Sequence, residues 1–437
     1  MTRTRRNSTR REFLTTSAAT AGAFSLTACA GTKTAGRSEI AKAPDKSPIP
    51  EGTPVRIGLI GTGGMGGGHL GSMMSQIKNK HAHFEVVALA DVNSVWLEEK
   101  AHTARTNQSG VQVDTYANYT DLLAREDIDG VLIAAPEHWH AQMAMDAIAA
   151  GKDVYCEKPM TTSIEEALWM VDTMEANPHM RLQVGTQKMV LEKYKKAKEL
   201  IAAGEIGHPT LSQTSYCRNT PAGEWNYYKI DERVRPGETL DWEAWCGSRG
   251  LREWDPKLYH RWRRYKDFST GIIGDLLVHM ITPMMYALDR GWPTRVAAIG
   301  GHFIDHDMEN HDQVFLNVGM EKDHTMIVAG STINATGLPV IIRGNRANIF
   351  LGSNNCEIRP EHPYAEDIEP RTVQCKEVQD QPTLRLDWIN CIRTREQNIS
   401  QVDLAAKVMV AVDLSTKAMW EGGTWTYDPQ TREYARE

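Results

Sequence analysis

VRIGLIGTGGMGGG, residues 55–68, decides how this chain folds. VRIGLI (55–60) is a short apolar β run. Gly61-Thr62-Gly63-Gly64-Met65-Gly66 follows at once and fits G-x-G-x-x-G. Gly61 permits the tight turn, Gly63 lets the backbone approach a pyrophosphate, and Gly66 lets a helix lie close to the strand. Gly64 and Met65 complete the loop. His69, Leu70, Met73, Met74 and Ile77 then recur at helical spacing. That helix start offers free N–H groups and a positive dipole end to phosphates. A second apolar run, FEVVALAD (84–91), ends in Asp91, near the place where an acid holds both ribose hydroxyls. Its charge would repel a 2′-phosphate, so the segment reads as an NAD site rather than an NADP site. The plainer role for Asp91 is a helix cap for the segment after it.

Outward from this unit, DGVLIAAP (129–136), DVYCEKP (153–159) and RLQVGTQ (181–187) read as further strands, with helices over 138–150 and 163–176. This rhythm predicts a doubly wound parallel sheet over 54–187. Residues 188–437 change character. Helix 190–203 is amphipathic, 209–219 reads as a strand, and strand-like runs follow at 294–303, 312–319, 324–333, 339–343 and 347–351, before a closing helix at 401–421. The expected fold class is α/β: a Rossmann domain plus a C-terminal α/β domain with a large, predominantly antiparallel, open-faced sheet.

Two domains also suit the length of 437 residues. The composition is globular, 41% hydrophobic and 24% charged. A net charge of −7, with no basic run in the body, argues against nucleic acid as a partner. The seven cysteines (29, 156, 217, 246, 356, 375 and 391) form no C-x-x-C pair and no zinc-finger spacing, so no metal site is expected.

The N-terminus reads differently. Thr9-Arg10-Arg11-Glu12-Phe13-Leu14 resembles the twin-arginine export motif of bacteria. The mildly apolar run 15–28 is too short for a permanent membrane span. Leu26-Thr27-Ala28-Cys29 resembles a lipobox, in which the cysteine is lipidated and becomes the new N-terminus. The plain alternative is a disordered tail with a chance Arg pair. Residues 1–29 are thus expected to be an export signal, and 30–53 a flexible tether. Export in folded form would place the protein in the periplasm, touching the membrane only through Cys29. It would also require a cofactor loaded in the cytoplasm and held tightly.

AAPEHWHAQMAMDAIAAGKDVYCEKPM (134–160) resembles the signature block of the glucose–fructose oxidoreductase / inositol dehydrogenase / rhizopine-catabolism (Gfo/Idh/MocA) family, whose hallmark is the Glu157-Lys158-Pro159 triplet. LQVGTQ (182–187) and GIIGDLLVHMI (271–281) are similar to later blocks of a subgroup. The resemblance spans about 54–425. It implies that Lys158, Asp275 and His279 surround a reacting sugar carbon. Hydride transfer from a secondary alcohol needs a base, a cation for the developing alkoxide and a nicotinamide held face-on. His279 is the expected base and Asp275 an orienting or substrate-binding carboxylate, both on one helix face at i, i+4. They could instead be a structural helix pair. Lys158 would bind the substrate oxygen and position the nicotinamide, with Pro159 setting a rigid or cis turn that aims it. Pro136, His140, Glu157 and Gln187 sit at the carboxyl edge of the sheet and are cofactor-contact candidates; His140 could equally cap its helix or pack on Trp139.

The stretch 224–271 is crowded with Trp and Tyr. Aromatic faces stack on sugar rings and Arg forks onto hydroxyls or carboxylates, so His260, Arg261, Trp262 and Arg263 are substrate candidates, whereas Trp242 and Trp245 suit packing. The leading expectation is NAD-dependent hydride exchange with a ring hydroxyl of a sugar, glycoside or cyclitol, at C3 of a glycoside for instance. A glycoside hydrolase using NAD transiently through a 3-keto intermediate, and a non-catalytic sugar-binding lipoprotein, are the alternatives. The resemblance further implies homo-oligomers paired through the open sheet face.

Overall fold

The structure, a computed structural model, describes residue 40 and residues 42–437. The expected export signal, Cys29 and the first part of the tether lie outside the described residues.

The first domain runs β1 (Val55–Ile60), α1 (Gly64–Lys78), β2 (Phe84–Ala90), α2 (Ser94–Asn107), β3 (Asp114–Tyr116), α3 (Tyr119–Leu123), β4 (Gly130–Ile133), α4 (His140–Ala149), β5 (Asp153–Cys156), α5 (Ile164–Ala176) and β6 (Leu182–Val184). The six strands form one parallel sheet in the order β3-β2-β1-β4-β5-β6. That is the doubly wound order, and it opens a crevice at the carboxyl ends of β1 and β4, where the connections diverge. Both faces are covered, which is why the inner strands β1, β2 and β4 are mostly apolar. Local chemistry sets the helix starts. The Asn93 side chain accepts from Val95 and Trp96 N–H, and Ser163 accepts from Glu166 N–H.

The second domain adds α6 (Glu192–Ala202), β7 (Pro209–Cys217), α7 (Trp242–Cys246), α8 (Pro256–His260), α9 (Val278–Leu288), β8 (Pro293–Gly301), β9 (Gln313–Met320), β10 (His324–Ser331), β11 (Ile341–Gly344), β12 (Ala347–Leu351), β13 (Asn355–Pro360), β14 (Arg371–Gln374), α10 (Asp380–Thr394), α11 (Val402–Glu421), β15 (Thr424–Asp428) and β16 (Glu433–Arg436). Ten strands make one sheet, β14-β13-β12-β11-β7-β10-β9-β8-β15-β16, antiparallel except for β7 beside β10. Along β9, Val314, Leu316, Val318 and Met320 are buried and Phe315 is exposed, the alternation of a sheet covered on one face. The expected sheet is therefore present. Strands β13 to β16 extend it beyond the elements expected.

Helix α10 departs furthest from expectation. Leu384, Trp388, Ile389 and Ile392 pack with Val55, Ile57, Leu59, Leu132 and Tyr155, alongside α1 and α2 on one face of the first sheet. A helix from beyond residue 187 thus completes the nucleotide-binding domain. The tether also needs correction in its second half. Ala43 is buried and its N–H donates to Asn177, Lys46 reaches Asp153 at 3.2 Å, and His179 Nε2 donates to the Pro44 carbonyl. Apolar Ala43 and Ile49, together with the Lys46 ion pair, hold this segment on the first domain.

Candidate active site and dinucleotide cleft

The crevice at the β1 and β4 ends opens into a cleft of about 910 Å³. Gly61, Thr62, Gly63, Gly64, Met65, Asp91, Pro136, His140, Glu157 and Lys158 all line it. Gly61 sits at φ +87°, where a Cβ would come within 2.7 Å of the Ala134–Ala135 backbone. A Cβ on Gly66 would stand 1.9 Å from the Gly61 carbonyl oxygen, so this glycine lets α1 close on the turn. Gly63 and Gly64 differ, because a Cβ there would meet only the Trp96 ring at 3.3 Å and the Tyr228 ring at 3.9 Å. Their smallness leaves the cleft empty at the start of α1, as a pyrophosphate requires. The residues present fit a dinucleotide.

Asp91 is more occupied than expected. Its Oδ2 accepts from Thr62 N–H (2.6 Å) and Thr62 Oγ1 (2.8 Å), and its Oδ1 from Asn93 N–H (2.8 Å). A carboxylate has about four acceptor sites. With three used, Asp91 can take one ribose hydroxyl, not two. It also buttresses the glycine turn, a role its place at the strand end could not reveal.

At the far end of the cleft, Lys158 Nζ donates to Asp275 Oδ1 (2.8 Å) and to the Asp275 carbonyl (3.0 Å), and Arg263 Nε donates to the same Oδ1 at 3.0 Å. Burial alone would raise Asp275; the Lys158 and Arg263 charges outweigh it and hold the carboxyl well below its usual range. Asp275 Oδ2 makes no hydrogen bond to the described residues and stays free for a hydroxyl. The wall of the cleft ends at Lys158 and Arg263, and neither Asp275 nor His279 contributes to it. His279 is 7% exposed, and its Nδ1 is buried without a partner. Burial first, then repulsion by Lys158, pushes its pKa down to about 3. The ring is therefore neutral near pH 7, able to accept a proton but a far weaker base than one whose pKa matches the pH. The i, i+4 geometry is also not that of one regular α-helix, because Asp275 lies in a π-helical turn (Ile273–Leu277) that runs into α9. Such a turn is wider than an α-turn. The Lys158–Pro159 peptide is cis.

Behind Lys158 lies a buried chain of polar side chains. Arg385 Nη1 donates to His69 Nδ1 (2.8 Å), which leaves the proton of His69 Nε2 for Glu157 Oε1 (2.8 Å). Glu157, His69 and Arg385 are all buried. Glu157 lines the cleft, but its carboxylate is committed inward, and Arg385 arrives from α10. His140 also turns out to be a clamp. Its two ring nitrogens lie 2.6 Å from the Pro159 carbonyl and 2.9 Å from the Ala135 carbonyl, joining the β4 and β5 loops. Gln187 begins a short 3₁₀ turn and is not part of the cleft wall. Glu137, not singled out from sequence, is buried and accepts from Thr270 N–H and Thr270 Oγ1, fixing the entry to the Asp275 turn. Burial pushes its carboxyl up to about 7.

Of the substrate candidates, Trp262 lines the cleft, and Arg263 stacks on it at 4.2 Å. Arg261 instead points away from the cleft, holding the Tyr228 carbonyl and Asn226 Oδ1. The sequence places four polar and aromatic candidates in a row, but a 3₁₀ turn over Trp262–Arg264 sends successive side chains in different directions. His260 borders the cleft, yet its Nδ1 faces the Pro256 carbonyl and its Nε2 accepts from Asp231 N–H. It stands edge-on to Trp96, at the nucleotide side rather than the sugar side. Trp242 and Trp245 stack at 4.8 Å in a small aromatic core, as expected. The stretch 225–263 thus forms a strap across the cleft, tied down by Asn93 Nδ2 to Tyr259 Oη (2.8 Å) and Ser94 N–H to the Thr239 carbonyl (2.9 Å).

A glycine turn at the switch point of a doubly wound sheet, facing a buried Lys–Asp–Arg cluster and a neutral imidazole from a second domain, defines a dinucleotide-dependent oxidoreductase class. The chain belongs to the GFO_IDH_MocA oxidoreductase family: residues 55–186 match its NAD-binding Rossmann fold and 198–426 its C-terminal alpha/beta domain. It is 31% identical over 191 residues to inositol 2-dehydrogenase 3 of Saccharopolyspora erythraea, a match covering 43% of this chain and 53% of that protein. The chain spans about half the length of the curated relatives it matches. Its fold resembles myo-inositol 2-dehydrogenase from Lactobacillus plantarum (TM-score 0.60, 18% identity, 85% of this chain and 99% of that one). It also resembles levoglucosan dehydrogenase in complex with NADH (TM-score 0.63, 17% identity, 85% and 98%).

Proposed function

We propose that this protein exchanges a hydride between a hydroxyl-bearing ring carbon of a sugar, glycoside or cyclitol and a tightly held NAD. The observation that carries this reading is the 2.8 Å pairing of Lys158, at the end of the dinucleotide cleft, with Asp275 of the other domain, four residues before His279. When bound, the dinucleotide supplies the hydride acceptor. Lys158 donates to the substrate oxygen and favours its alkoxide character. Asp275 Oδ2 accepts from a neighbouring hydroxyl and orients the ring. The His279 Nδ1 is sealed off, so Nε2 is the atom that takes the hydroxyl proton. The strap over the cleft supports slow cofactor release. In the test, the purified full chain is assayed for retained nicotinamide and incubated with a panel of sugars, glycosides and cyclitols. Reduction of the bound nicotinamide is expected, and His279→Ala should abolish it while keeping the nucleotide. No reduction by wild type across the panel overturns the reading.

Tight retention of NAD would equally suit a second reading, a glycosidase that oxidises C3, eliminates the aglycone, adds water and reduces back. Nitrophenol release from a nitrophenyl glycoside without net NADH would select it. A sugar-binding lipoprotein without catalysis would retain nucleotide and give neither signal. We further propose export through the twin-arginine route with a lipid on Cys29, tested by membrane fractionation of Cys29→Ser. Pairing through the open sheet face is supported by exposed Ile299 opposite Phe315, and sedimentation of Ile299→Lys tests it.

A further inference from the structure

Resting on that oxidoreductase reading, we infer that the substrate is an anionic sugar, a hexuronate or its glycoside, whose carboxylate is held by Lys188 and Arg218 beside Tyr216. Three groups converge on the Tyr216 ring at the end of β7. Lys188 Nζ lies 5.4 Å from its centroid, Arg218 Cζ 5.8 Å, and the His279 ring 6.1 Å. An aromatic platform next to the base is therefore flanked by two cations.

Neither cation is fully paired. Besides the Tyr216 ring, the polar head of Lys188 finds among the described residues no hydrogen-bond acceptor other than the Met280 sulfur, at 2.9 Å. A thioether is a weak acceptor, so this ammonium is poorly satisfied. Burial lowers its pKa, with Lys193 adding to the effect, which an arriving anion would reverse. Arg218 forms an ion pair, Nη2 to Glu224 Oε1 at 2.7 Å, while its Nε–H is buried with no acceptor among the described residues. Glu224 is itself engaged by Thr220 and Tyr227. The neighbouring Arg263 spends only Nε on Asp275, and its two terminal nitrogens have no acceptor among the described residues.

The charge balance points the same way. The carboxylates here are Asp275, Glu137, Glu224 and, through space, Asp380. They face Lys158, Lys188, Lys193, Arg218 and Arg263. Glu157 is balanced through His69 by Arg385. A neutral polyol needs no such surplus. An arginine with an unused Nε–H beside a lysine suits a planar carboxylate.

The test uses nicotinamide-loaded full chain and matched ligands: glucose against glucuronate, galactose against galacturonate, and glucose 6-phosphate. Binding is measured by calorimetry and oxidation by nicotinamide reduction. A uronate should bind about 10- to 100-fold more tightly than its hexose, the scale of one or two charge-assisted hydrogen bonds. The preference should shrink between about 50 and 500 mM salt. Lys188→Met and Arg218→Met, each checked for nucleotide retention and melting temperature, should bring the ratio near one. If either variant fails to fold, the wild-type ratio and its salt dependence still decide. Oxidation of hexoses with no uronate preference overturns this inference and leaves the oxidoreductase reading standing. A preference for the phosphate over the uronate overturns the carboxylate assignment. Oxidation of none of the ligands, despite retained nicotinamide, counts against the reading beneath it.

Discussion

Lys158 and Asp275 stand 117 residues apart in the chain and meet as a buried ion pair 2.8 Å long, with Arg263 on the same carboxylate oxygen. This pair joins the two domains at the point where the cleft ends. Because Arg263 remains when Lys158 is removed, Asp275 would not be left without a counter-charge, and the fold should tolerate the loss.

Lys158→Met is therefore expected to keep its nicotinamide and most of its stability, but to lose about 10²-fold or more in kcat, the scale of one preorganised donor at a developing alkoxide. Rapid-reaction kinetics of the bound nicotinamide provide the check, and near-normal reduction would refute the role.

Asp91 lines the cleft just past the end of β2, with three of its acceptor sites already filled by Thr62 and Asn93. Asp91→Asn removes the charge and keeps the shape. The NADP-to-NAD affinity ratio should rise by about 10-fold. An unchanged ratio, measured by nucleotide titration of stripped protein, would mean that another group sets the preference.

Two glycines on α1 should respond with opposite sign. Gly66→Ala drives a Cβ to 1.9 Å from the Gly61 carbonyl oxygen and should cost about 3 kcal/mol or more, with loss of nucleotide. A Cβ on Gly68 meets nothing within 4 Å. Gly68→Ala should stabilise by about 0.5–1 kcal/mol, because alanine loses less freedom in a helix. Urea unfolding measures both.

Glu137 gives a pH signature. Its folded pKa, about 7, lies above the ordinary value of 4.5, so ionisation opposes folding. Its stabilising proton is bound below pH 4.5 and lost as pH rises through 7. Relative to Glu137→Gln, wild type should lose up to about 3 kcal/mol across that window, then level off. His138 and His279 act in the opposite sense. Burial drives both from 6.5 down to about 3, so their contribution is complete above 6.5 and falls away as pH drops toward 3. The difference between wild type and variant isolates Glu137. A flat difference would contradict the buried setting described for it.

Much of this was legible in sequence because the relevant physics is local. A glycine at positive φ, a strand apolar on both sides and a Lys-Pro turn each leave their mark within a few residues. Gly61, Gly66, Lys158 and the order of the first domain follow from such marks. Helix α10 shows its apolar stripe too, Leu384, Trp388 and Ile392, but nothing in the stripe says which sheet it covers. Arg261 and Arg263 are chemically equivalent in the chain, and only the turn between them decided which one reaches the cleft. His140 and Glu157 carry the right chemistry at the right edge, yet tertiary contacts with Pro159, Ala135 and His69 committed them to holding the site together. Periodicity and backbone preference are properties of neighbours in sequence. The pairing of a buried charge, and the direction a side chain takes into a cavity, depend on groups that the tertiary fold brings together, across 88 residues for Glu157 and His69 and 117 for Lys158 and Asp275.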